Sequence, residues 1–311
     1  MQKLPLFSIV IPLYNKGDTI QRALVSVVNQ VFRDFEVIVI DDGSTDDSHD
    51  KVIPFQNQLP LKLIRQVNGG VSAARNRGIL EAAGAYVALL DADDEWLPNH
   101  LQELKIVLDR YPDVPLISTT LVTRTGKDSR WYPWQKKVRS YSLYRLWPMA
   151  YPIHTSAMAF RTDCARSVSG FDQKFSMYED VQFVFKMVEH SKGLIYLNSK
   201  NTMRYNNDAG QRLTARRVLP EEMGHFRYAE SVAESVDRSS ALGRCLRRWI
   251  CFEFSFRMGS REWMDSFTRA YPKISAWVFD SLPKSVPLKN VYFMYCRMCF
   301  RIVYRLRRYV I

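Results

Sequence analysis

Three aspartates fall within four positions of VALLDADDEW, residues 87–96, directly after an apolar run. At an effective dielectric near 20, two carboxylates about 4 Å apart repel by roughly 4 kcal/mol. Stability gives no reason to keep Asp91, Asp93 and Asp94 together, so either water disperses their charge or a cation sits among them. Asp41 and Asp42 close FEVIVIDD in the same manner, and Tyr14 and Asn15 follow FSIVIPL.

These residues need elements to position them. FSIVIPL, FEVIVIDD, LKLIRQ and AYVALLD are apolar runs of strand length, rich in β-branched residues, as strands covered on both faces require. Between them, TIQRALVSVVNQ has helical spacing with Asp18 as its expected N-cap, and NGGVSAARNRGILEAAG reads as turn, helix and glycine stop. Strands alternating with helices predict an α/β fold, an open and mostly parallel sheet flanked by helices. Such sheets bind ligands beyond the carboxyl ends of their strands, where Tyr14, Asn15, Asp41, Asp42, Asn68 and the DADD aspartates fall. PLYNKGD after the first strand holds no G-x-G-x-x-G, and no G-x-x-x-x-G-K-[ST] occurs, so a Rossmann site and a P-loop are both excluded.

The chain has 311 residues and a net charge of +12. Residues 1–210 hold 25 basic and 23 acidic side chains (net +2), and residues 211–311 hold 19 and 9 (net +10). The basic character belongs to the C-terminal third, which predicts a polyanionic surface as its partner. No run approaches 18 uncharged apolar residues, so no transmembrane helix is expected. The opening residues read as a first strand rather than a signal peptide. Five cysteines give no disulfide framework and suggest a reducing compartment.

FSIVIPLYNKGDTIQRALVSVVNQ, FEVIVIDDGSTDDS, NGGVSAARNRGI, YVALLDADDEWLP and GFDQKFSMYEDVQFVFK occur in an order and spacing that resemble family 2 glycosyltransferases of the GT-A fold. The resemblance covers residues 6 to about 207. It implies a GT-A domain over 1–210, with a nucleotide-sugar half (1–100) and an acceptor half (101–210), followed by a mainly helical basic region over 211–311. On the donor side it implies Pro12, Tyr14, Asp41, Arg75, Asp91 and Asp93. Asp41 would accept the imide N–H of uracil or thymine, and its competing reading is a turn aspartate ahead of Gly43. Tyr14 would cover the base, or else be a surface loop residue. Asp93, with Asp91, would hold Mg²⁺ or Mn²⁺ against the diphosphate, while Asp94 is open to capping the helix that starts near Pro98. Arg75 would contact the diphosphate, or be a solvated helix arginine.

Glu179 and Asp180 are the implied catalytic pair, with Asp180 the base that deprotonates the acceptor hydroxyl in an inverting transfer. Their alternative is an acidic helix start favoured by the dipole. Lys186 stands where the family often has arginine, and the Q-x-x-R-W motif of processive synthases is absent, which predicts addition of one sugar. RYNNDAGQRLTAR has the character of a lid. Trp131, Trp134 and His154 are acceptor-side candidates, because sugar rings dock on aromatic faces, although aromatics also fill cores. In VYFMYCRMCFRIVYRLRRYV, Arg297, Arg301, Arg305 and Arg308 share one helical arc. That helix either lies on an anionic membrane or packs on the protein with its arginines in water. Cys296 and Cys299 read as packing residues.

The expected activity is single-sugar transfer from a UDP-sugar, or a dTDP-sugar, to a glycan or lipid-linked acceptor in cell-surface polysaccharide synthesis. The expected location is cytoplasmic and peripheral on the inner face of the plasma membrane. A non-catalytic nucleotide-sugar-binding relative is the first rival, opposed by Asp180. A nucleic-acid-binding protein is the second, opposed by the lack of any nucleic-acid module.

Overall fold

The structure is a computed structural model that describes residues 4–123, 139–142, 153–175, 178–189, 191–206, 223–237, 240, 242–244, 246 and 261–279. Trp131, Trp134, the 207–216 segment, the two cysteines at 296 and 299 and the C-terminal basic helix fall outside them. Among the described residues no helix is long and apolar enough to cross a membrane.

The four predicted strands form as β1 (Phe7–Leu13), β2 (Phe35–Asp41), β3 (Leu61–Arg65) and β4 (Tyr86–Leu89). All four are parallel, in the order β3-β2-β1-β4. β5 (Glu95–Trp96), β6 (Leu116–Thr123), β7 (Arg139–Ser142), β8 (Met158–Arg161) and β9 (Leu194–Tyr205) extend the sheet to nine strands among the described residues, in the order β3-β2-β1-β4-β8-β6-β9-β5 with β7 on β9. β8 runs antiparallel to both β4 and β6. Pro12 tolerates its place in central β1 because the pairing of β1 with β4 ends at Val10, leaving no ladder donor to lose on that side.

Alternation along β1 sends its side chains to two helical layers. Ile9, Ile11 and Leu13 pack with Ile20, Ala23, Leu24 and Val27 of α1 (Ile20–Val28). Val10, on the other face, meets a later helix: after α2 (Ser48–Val52), α3 (Val71–Glu81) lies so close that a Cβ on Gly78 would sit 2.2 Å from Val10. Only glycine permits that approach. Thr19, not Asp18, precedes α1 as its N-cap residue, and no side chain caps there.

Residue contacts divide the chain into two compact units, the first covering the described residues up to 206 and the second those from 223 onward. In the second unit the Glu230 carboxylate accepts the backbone N–H groups of Lys273 (2.9 Å) and Ile274 (2.8 Å) at the start of helix Pro272–Phe279. This satisfies two of that helix's orphan donors. Phe226 meets Phe267 edge-on with ring centroids 5.0 Å apart.

α4 (His100–Arg110) starts from a fully buried histidine stacked on Trp96, with centroids 4.2 Å apart. Thr202 donates to Thr119 (2.8 Å), so His100 Nδ1 is the donor to Thr202 Oγ1 (2.8 Å) and Nε2 is bare. A proton at Nε2 would meet no acceptor, and burial pushes the His100 pKa down to about 3. The unfolded chain, with a pKa near 6.5, then binds more protons than the folded one between these values. This contribution to stability is fully present above pH 6.5 and falls by about 1.4 kcal/mol per unit as pH drops towards 3. Urea unfolding of the native protein and His100→Gln at pH 7 and 5 should show a smaller loss of stability on acidification in the variant.

Candidate functional site

The order β3-β2-β1-β4 places the topological switch between β1 and β4, where open α/β sheets bind ligands. The loops leaving those two strands carry Tyr14–Lys16 and Asp91–Asp94.

The three DADD carboxylates have three different environments. Asp91 accepts from Arg75 Nη2 (3.0 Å). Asp93 Oδ2 accepts from Lys16 Nζ (2.8 Å). Asp94 is buried, accepting from the Ser156 hydroxyl (2.6 Å) and the Asn206 N–H (3.3 Å). Burial first, and then the charge of Asp91, raise the pKa of Asp94 well above the usual carboxylate range. Two of the three charges are thus met by cations and the third is suppressed. Asp94 is not a helix cap, since α4 follows Asn99 and starts two residues beyond Pro98.

The backbone of this loop is held from several sides. The Asp93 carbonyl accepts from Arg22 Nη2 (3.0 Å) and Asn206 Nδ2 (3.0 Å). The Asp91 N–H donates to Ser156 Oγ (3.0 Å). His154 Nδ1 accepts the Ser156 N–H (3.2 Å), and its ring stands edge-on to Tyr205. With that lone pair engaged, neutral His154 carries its proton on Nε2; burial lowers its pKa despite the pull of Asp91.

Arg75 is no solvated helix arginine. It is 4% exposed, lies over the Phe171 ring, and donates from Nη1 to Glu179 Oε1 (2.8 Å) as well as from Nη2 to Asp91. Its Nε has no acceptor. Burial opposes its charge, but Asp91, Glu179 and Asp180 outweigh that and raise its pKa further. One guanidinium therefore brings together the DADD loop and the acidic pair that opens helix Glu179–Glu189. Glu179 points inward to Arg75, whereas Asp180 is half-buried and its Oδ1 accepts the Val181 N–H (2.8 Å). Lys186 donates to the carbonyls of Val168 (2.8 Å) and Gly170 (2.6 Å), fastening this helix to the turn before Phe171.

Asp41 is fully buried. It accepts the Ser44 N–H (2.8 Å), the bond of a turn aspartate, and faces His49 Nδ1 (2.9 Å). Asp42 accepts from Gly69 N (3.0 Å), Gly70 N (2.8 Å) and Gln66 Nε2 (2.7 Å). These bonds hold the NGG turn, whose Gly70 has φ +86°, at the start of the helix that carries Arg75. Tyr14 is 47% exposed beyond β1, and Pro12 is buried within it.

Lys16, His49 and Ser156 were not legible as site residues, and the contacts of Asp42, expected at its strand end, and of Asn206, expected in the lid-like segment, were not legible either. Lys16 left a weak signal, a cation in the loop after β1 that shares the carboxyl end of the sheet with the aspartates. The others are recognised by long-range contacts alone.

Asp91 and Asp93 present hard oxygens whose side chains are 25% and 39% exposed. Among the described residues no three His, Cys, Asp or Glu side chains are arranged to hold a metal ion. That donor set fits Mg²⁺ or Mn²⁺ bound through one or two carboxylates, with phosphate and water completing the shell.

Comparison with known proteins gives the site a context. The family profile described as Glycosyl transferase family 2 matches residues 8–166. An uncharacterised glycosyltransferase of Escherichia coli K12, YibD, is 44% identical over 98 residues, 31% of this chain and 28% of that protein. The Escherichia coli UDP-Glc:α-D-GlcNAc-diphosphoundecaprenol β-1,3-glucosyltransferase WfgD is 36% identical over 97 residues, 31% of this chain and 38% of that protein. Each match thus spans well under half of the relative's length. The crystal structure of Staphylococcus aureus TarS 1–349 with UDP-GlcNAc aligns with a TM-score of 0.71 at 22% identity, over 88% of this chain and 81% of that one. That likeness shows the fold, the GT-A type anticipated from the strand and motif order.

Removing one partner of a buried ion pair costs about 3–5 kcal/mol because it strands the other charge. Arg75→Met should lose stability in that range. Arg75→Lys, a point charge without the two-pronged fork, should lose less. Urea denaturation of the three proteins checks the order.

Proposed function

The chain belongs to glycosyl transferase family 2, and from that premise we propose that it moves a single sugar from a UDP-sugar to a hydroxyl of a glycan or lipid-linked acceptor, with inversion. The observation that carries this reading is the Arg75 bridge, which holds a donor-type aspartate loop beside an acidic pair at the carboxyl end of the sheet.

In this mechanism Asp180 takes the proton of the acceptor hydroxyl as its oxygen attacks the anomeric carbon. The bond from that carbon to the diphosphate breaks on the opposite face, and UDP leaves with the electron pair. Glu179 and Arg75 position the Asp180 helix against the donor loop. Tyr14 covers the base and Pro12 fixes the strand end that presents it, while Asp41, buried and bonded to Ser44 and His49, shapes the turn beside the base, and its contact with the imide N–H would need the His49 bond to open. A Mg²⁺ or Mn²⁺ ion at Asp93 and Asp91 would supply Lewis-acid stabilisation of the charge on the departing diphosphate. His154 borders the acceptor side.

UDP rather than dTDP is favoured because TarS was crystallised with UDP-GlcNAc and WfgD is named for UDP-Glc. WfgD's diphosphoundecaprenol acceptor supports a lipid-linked acceptor here. With the net +10 of residues 211–311, it also supports peripheral action at the inner face of the plasma membrane.

Calorimetry should show UDP binding that tightens with Mn²⁺ and loses that gain in Asp93→Ala. No UDP binding under any metal condition would remove the donor assignment. Asp180→Asn should keep UDP affinity within about twofold yet lower transfer by roughly 10²–10⁴, the usual worth of general base catalysis. Equal transfer by both proteins would assign the base elsewhere.

A further inference from the structure

Lys16 is fixed at its backbone before its side chain reaches anything. Its N–H donates to Ser48 Oγ (2.7 Å), and its carbonyl accepts the N–H groups of Thr19 (3.0 Å) and Ile20 (2.9 Å) at the start of α1. Its neighbours are pinned too: Asn15, at φ +50°, donates its N–H to Ser44 Oγ (3.1 Å), and Gly17 donates to Asp46 (3.0 Å). From this anchored loop Nζ crosses the switch between β1 and β4 to a carboxylate 77 residues away. The two side chains are 26% and 39% exposed, so the pair is open to solvent and exchangeable.

The ammonium thus occupies an oxygen that a divalent ion at DADD would use, and like charges cannot both sit at close range there. We infer that Lys16 is an internal counter-ion that competes with the divalent cation for Asp93 and is released when the donor diphosphate offers it another anion. This rests on the donor reading above. Its consequence is that metal and nucleotide bind cooperatively: the diphosphate draws Lys16 away, and the freed carboxylate takes the metal. By linkage, the metal raises nucleotide affinity by the same factor.

The test is Mn²⁺ binding to the full chain, read from the free-ion paramagnetic resonance signal with and without UDP. Lys16→Met keeps the aliphatic stem and loses the charge; Lys16→Arg keeps the charge. Without nucleotide, Lys16→Met should bind Mn²⁺ roughly three- to tenfold more tightly than the native protein, the scale of a partly exposed ion pair opposed by a divalent ion. The factor by which UDP tightens Mn²⁺ should shrink correspondingly, while Lys16→Arg should resemble the native protein. Thermal unfolding confirms that the variants are folded. Unchanged or weaker Mn²⁺ binding by folded Lys16→Met, with UDP–Mn²⁺ coupling intact, would overturn the counter-ion role and leave the donor reading standing. Absence of UDP–Mn²⁺ coupling in the native protein would overturn the counter-ion role alone, and absence of any UDP binding would overturn the donor reading with it.

Discussion

The arrangement of the site depends on a guanidinium buried between two carboxylates. Arg75 lies 16 residues before Asp91 and 104 before Glu179, and it joins them inside a region where an unpaired charge is costly. A lysine would have to meet both partners from a single nitrogen. Arginine reaches two because its Nη groups diverge from a rigid plane. Buried charge pairs are weak evidence for stability, but their geometry resists alternatives, since a shift in any one partner strands the others.

The depth of Arg75 follows from backbone features laid down earlier in the chain. Asp42 gathers the N–H groups of Gly69 and Gly70, which sets where the helix Val71–Glu81 begins. Gly78 lets that helix press against Val10. Between these two constraints the helix has little freedom to translate, and Arg75 is delivered beneath the DADD loop. Asn76, one residue on, donates to the Phe171 carbonyl (2.8 Å) and accepts its N–H (2.7 Å), keeping the ring in place under the guanidinium.

The parallel half of the sheet was legible because its signal is local. FSIVIPL, FEVIVIDD and AYVALLD are continuous apolar runs, and buried parallel strands require such runs. β5, with two residues, and β8, with four, fall below the length at which periodicity is informative. The aspartates after each strand were also legible, since a charge cluster at a strand end has few structural explanations. Their partners were not. Nothing in LYNKGD specifies that Lys16 turns towards Asp93, and nothing near residue 156 marks a serine that supports both Asp91 and Asp94. Such pairings are set by which loops the sheet order brings together, information that emerges only once the order is known.

The crowding of three carboxylates and the proposed chemistry share a solution. Three adjacent carboxylates are tolerable because Asp94 is driven towards its neutral form, Asp91 is neutralised by Arg75 and Asp93 by Lys16. The two cations differ in a consequential way. Arg75 is buried, doubly paired and tied to the helix that begins with Glu179; displacing it would expose two charges to a poor solvent. Lys16 is partly hydrated and singly paired, so leaving Asp93 costs little. An incoming anion and metal would therefore act on the Lys16 side of the loop while the Arg75 side keeps its register with Asp180. The same cluster can exchange ions at one end and preserve geometry at the other, as the proposed transfer between two substrates would require.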